Sequence, residues 1–62
     1  MTSMLEYFKM ILSKVSFDRS LFEKELRKAV SRLAGPDILE LKRWCYQNFA
    51  VRYQLILDRT FV

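Results

Sequence analysis

The sequence predicts an all-α protein, a compact bundle of three to four short helices, and three observations support this. Apolar residues recur at helical spacing along the chain. Its one glycine and one proline, Gly35 and Pro36, are adjacent, so nearly all the rest is regular structure. Apolar residues make up 52% and aromatics 15% of the 62 residues, far from the profile of a disordered chain. Residues 1–62 form a single helical domain with no linker, repeat or low-complexity segment.

The first helix is expected over about 4–14. Ser3 and Glu6 have the spacing of a capping box, and Met4, Phe8, Ile11 and Val15 form a stripe widened by Leu5, Leu12 and Tyr7. Glu6, Lys9 and Ser13 keep only a narrow polar strip, with Met10 beside it. The second helix is expected over 19–34. Asp18 is its N-cap, with Ser20 and Glu23 as a second possible box and Phe17 placed to staple onto Phe22. Phe22, Leu26, Ala29, Val30 and Leu33 share its inner face. Gly35 suits the left-handed residue that ends a helix, and Pro36 the first turn of the next.

The third helix is expected over 37–48, with Asp37 near the positive end of its dipole. Ile38, Leu41, Cys45 and Phe49 form its stripe, with Trp44 and Tyr46 on the shoulders. Continued as one helix, that stripe next meets Arg52, so a break is expected between Asn48 and Arg52, the alternative being one long helix with Arg52 snorkelling. Beyond such a break, a short fourth helix over 52–60 would be built on Tyr53, Ile56, Leu57 and Phe61.

A domain this small buries only about 60% of the surface its unfolded chain exposes, which leaves it marginally stable. Cys45 is the single cysteine, so no internal disulfide forms, and the absence of histidine leaves no zinc constellation. No cofactor is expected. What remains is efficient helix packing, oligomerisation or both.

The same inventory argues against an enzyme. The commonest general base is absent, and Cys45 lies on an apolar stripe where a small buried hydrophobe is the ordinary role. Glu23, Glu25, Asp37 and Glu40 have the spacings of caps and ion pairs: Glu23 with Arg27 at i, i+4, and Glu40 with Arg43 at i, i+3. No secretory signal and no bilayer-spanning run is visible, and with a lone thiol the expected location is cytoplasmic. The first helix carries too few cations for a surface-seeking membrane helix.

Two functional readings survive. The net charge of +4 matters only where cations cluster, as Lys24, Arg27, Lys28 and Arg32 do on the second helix, and Lys42 and Arg43 early in the third. These six are the candidate nucleic-acid contacts. The stretch "RLAGPDILELKRWCYQNF" can be read as the turn and second helix of a helix-turn-helix. Against that, "DILEL" is acidic and apolar where base-reading side chains belong.

The other reading starts from a surplus of apolar surface. Besides the first helix, Leu21, Leu39, Val51 and Leu55 fall off the core stripes, and a bundle this short cannot hide all of them. The leading expectation is therefore a small non-catalytic interaction or regulatory protein. It would form a homodimer or dock on a protein partner through Leu5, Tyr7, Met10, Leu12, Trp44 and Tyr46.

Overall fold

The structure, a computed structural model, describes residues 3–61. Three helices account for nearly all of them, and they follow the expected order. The first, α1 (Met4–Lys14), is capped by Ser3, whose side chain accepts from the Glu6 N–H at 3.1 Å. A tight corner over 15–17 leads to Asp18, whose carboxylate accepts from the Leu21 N–H at 3.0 Å and opens α2 (Arg19–Arg32). Asp18 is thus the cap in use, and Ser20 lies inside the helix. Phe17 does not staple onto Phe22 and remains 76% exposed. Phe22 is already covered from α3, by the stacked ring of Tyr53 at 4.5 Å and the edge-on ring of Phe49 at 5.0 Å.

The corner between α2 and α3 (Gly35–Thr60) differs from expectation. The second helix stops at Arg32, two residues early, and Leu33 and Ala34 are extended, with ψ of 152° and 160°. Those two residues turn the chain, so Gly35 needs no left-handed conformation and has none. Gly35 is instead the first residue of α3, with Pro36 in the first turn. A side chain on a helical residue just before proline crowds the pyrrolidine ring, and glycine avoids that contact. The extended step at Leu33 also brings its side chain into the core, where it is 8% exposed.

A straight 26-residue helix would run about 39 Å, yet the molecule measures only 29 × 23 × 19 Å. The third element bends at Tyr53, whose φ of −127° and ψ of 31° are non-helical. The predicted break between Asn48 and Arg52 therefore falls one residue later, and the expected fourth helix is the segment beyond it. Its cause is legible in the spacing of buried residues. Sixteen residues separate Leu41 from Leu57, which in an unbroken helix rotates one about 160° from the other. Both are nonetheless fully buried. Re-aiming the chain at Tyr53 lets the two halves of α3 face the same core. The bend is held from outside the helix: the Tyr53 hydroxyl and the Arg52 guanidinium both donate to the Ser16 carbonyl, Arg52 at 3.1 Å.

Leu5, Phe8 and Leu12 of α1, Phe22, Leu26 and Ala29 of α2, and Leu41, Cys45, Tyr53, Ile56 and Leu57 of α3 meet with Leu33 in one core. On α1 the buried stripe is displaced by one position from the expected one. Leu5, not Met4, starts it, and Met4 is 53% exposed. Ile11 and Val15 are half-buried, and Val15 packs against the core. The α1 sequence is apolar round more than half its circumference, so periodicity alone did not select which arc turned inward.

Candidate functional site

Among the described residues, the exposed large apolar side chains identify what the bundle leaves outside. Leu21, Leu39, Val51 and Leu55, expected to fall off the core stripes, are all exposed, and Met4, Tyr7, Met10 and Phe17 join them. Met4, Tyr7 and Met10 are each about half exposed and follow one another round about 120° of α1. The opposite shoulder of the same helix carries Lys9. Its ammonium pairs with Glu40 at 3.3 Å and lies 5.9 Å from the centre of the Trp44 ring, which fastens α1 to α3. The outer face of α1 therefore lies on the side away from that contact.

Of the six residues expected at an interface, Leu5 and Leu12 do not belong there. They are 7% and 0% exposed and form the seam of α1 with the core. Trp44 and Tyr46 are half-buried and face different neighbours. Trp44 lies edge-on to Phe49 at 5.3 Å beneath Lys9. Tyr46 donates to the Asp58 carboxylate in the last turns of α3. That hydrogen bond holds the phenolic proton and raises the pKa of Tyr46 above its ordinary value. The two shoulders of α3 thus form no common patch, and only Tyr7 and Met10 of the original six remain on an open face. Met4, expected on the buried stripe, and Phe17, expected as a staple, are exposed instead.

The basic stripe divides. Arg27 pairs with Glu23 at 3.3 Å as its i, i+4 spacing predicts, and Lys28 pairs with Glu25 at 3.5 Å. Glu23 is shared with Arg59 at 2.8 Å, which connects α2 to the end of α3. The expected pair of Glu40 with Arg43 does not form, and Glu40 pairs with Lys9 instead. Lys24, Arg32, Lys42 and Arg43 are exposed and have no ion-pair partner among the described residues.

Cys45 is fully buried at the centre of α3. Burial pushes its thiol up to about 12, against a smaller opposing effect of the Lys9 ammonium. A thiol that keeps its proton is a poor nucleophile. Native protein at neutral pH is therefore expected to react with a chromogenic disulfide reagent only as it unfolds, and at once in denaturant. The same shift sets a pH dependence. Folded protein holds this proton more tightly than the unfolded chain, whose thiol ionises near pH 9. Below that pH both states are protonated and Cys45 adds no slope. Above it only the unfolded state loses the proton, so stability falls by up to about 1.4 kcal/mol per pH unit until about pH 12. Urea melts of wild type and Cys45→Ala should converge between about pH 8 and pH 10. A constant gap would contradict the buried, protonated thiol.

No helix among the described residues is long and apolar enough to cross a membrane. The described residues also bring together no three of His, Cys, Asp and Glu in a way that would hold a metal ion. No family model, curated protein or solved structure matches the chain significantly.

Proposed function

We propose that this chain is a small non-catalytic protein that acts by association through helix surface, and that its first assembly is a two-fold dimer on the outer face of α1. The observation behind this reading is the half-exposed arc of Met4, Tyr7 and Met10, set directly beside the buried arc of Leu5, Phe8 and Leu12. Contiguous apolar surface of that kind is uncommon on a stable monomer, and covering it adds burial that so small a chain lacks. A second copy suits the arc electrostatically. Glu6 borders it near the N-terminal end of α1 and Lys14 near the C-terminal end. In an antiparallel two-fold pair that crosses at Met10, each Glu6 lies level with the partner's Lys14. The buried, protonated Cys45 suits a protein with no catalytic thiol, and a lone unpaired cysteine suits a reducing, cytoplasmic setting.

Sedimentation equilibrium tests this reading. Wild type at micromolar concentration is expected at about twice its 7.5 kDa chain mass. Tyr7→Glu with Met10→Glu, both on the open face, should sediment as monomer while keeping its helical circular dichroism. A wild type that stays monomeric, or a double variant that stays dimeric, overturns the assignment.

Nucleic-acid binding is the second reading, favoured by the four exposed cations Lys24, Arg32, Lys42 and Arg43. Retention on duplex DNA or RNA that weakens steeply with salt, and disappears on Arg32→Glu with Arg43→Glu, would support it over the first.

A further inference from the structure

We infer that the cleft where α3 bends against the α1–α2 corner docks an acidic amphipathic segment of another protein. This surface is separate from the outer face of α1. Its walls include Arg19, Val51, Arg52, Tyr53 and Leu55, and its volume is about 300 Å³. That is at the lower end of pockets that take organic groups, roughly 300–1,000 Å³, and suits an inserted apolar side chain. Two of the most exposed apolar side chains among the described residues, Val51 and Leu55, line it. Val51 and Leu55, on either side of the bend at Tyr53, are 106% and 71% exposed, and Phe17 (76%) follows Ser16, whose carbonyl holds the bend.

The charge of the rim selects the occupant. Arg19 and Arg52 are exposed and have no carboxylate partner among the described residues. Arg52 is held in place by the Ser16 carbonyl at 3.1 Å and by the Tyr53 ring at 5.9 Å. Its guanidinium has five N–H donors and commits only one of them there, so a carboxylate can be met bidentately. Two cations beside an apolar cleft complement Asp or Glu flanking an apolar anchor. A second copy related by two-fold symmetry would set Arg19 and Arg52 against their own equivalents. A phosphate backbone would leave Val51 and Leu55 uncovered.

The experiment is a nuclear magnetic resonance titration of the isotope-labelled chain with a synthetic helical peptide bearing Leu at i, i+3 and i+7 flanked by Glu. Amide shifts should change over 17–20 and 51–56 and leave 4–11 unmoved. Arg19→Glu with Arg52→Glu should weaken binding by about tenfold or more, as should the surface pair Val51→Ser with Leu55→Ser, which removes no core contact. The same peptide with Lys for Glu should not bind. Equal binding of the Lys peptide, or no shifts over 17–20 and 51–56 at about 1 mM Glu peptide, overturns the proposal. So does a stronger response of those residues to phosphatidylserine vesicles or duplex DNA. Tyr7→Glu with Met10→Glu should bind the peptide normally, so loss of the dimer and loss of this site are read separately.

Discussion

Phe22→Ala removes about a third or more of the stability of the fold. Phe22 is fully buried, and it joins α2 to α3 at the bend, stacking on Tyr53 and meeting Phe49 one turn before it edge-on. Truncating a buried phenylalanine costs about 3–5 kcal/mol. A 62-residue chain has only about 3–9 kcal/mol to lose. For a domain of this size each kcal/mol moves the midpoint by about 4–8 °C, so the melt should fall by at least about 12 °C. Phe22→Leu restores volume but not the two ring contacts, and should recover most of the loss while staying about 1 kcal/mol below wild type. Thermal melts followed by circular dichroism at one fixed protein concentration check both, because association would itself raise the midpoint. A shift below about 5 °C for Phe22→Ala would show that α2 and α3 are joined elsewhere.

Leu12→Ala and Met10→Ala, two residues apart on one helix, should differ several-fold. Leu12 is fully buried against the core, and its truncation should cost about 2–5 kcal/mol in a urea melt. Met10 is about half exposed, and its truncation should change monomer stability by no more than about 0.5 kcal/mol. Met10→Ala should act instead on the sedimentation of the protein at higher concentration. Equal costs for the two substitutions would mean that the inward arc of α1 is not the one described.

The local devices were legible because each depends on neighbours within a turn. Ser3 and Asp18 cap the helices they were expected to cap, and Glu23 pairs with Arg27 at the predicted spacing. The face of α2 was also legible, because Phe22, Leu26 and Ala29 stand opposite a polar side that cannot be buried. The candidate site was legible only in part. Leu21, Leu39, Val51 and Leu55 were read as surface from their place off the stripes, but Leu5 and Leu12 were read as interface and are core. Nothing in their chemistry separates them from Met4 and Met10 on a helix that is apolar round most of its circumference.

The sequence by itself determined that this is an all-α chain, where its first two helices begin, which face of α2 is buried, and that apolar surface is left over. Hydrogen bonds and periodicities over three or four residues carry all of that information. Only the tertiary structure decided which arc of α1 turned inward, that Leu33 and Ala34 rather than Gly35 make the second corner, and that α3 bends at Tyr53. It also decided that Lys9 rather than Arg43 pairs with Glu40, and that Arg52 reaches the Ser16 carbonyl. Each of these depends on a contact between helices distant in sequence, and such a contact exists only once the helices share one core.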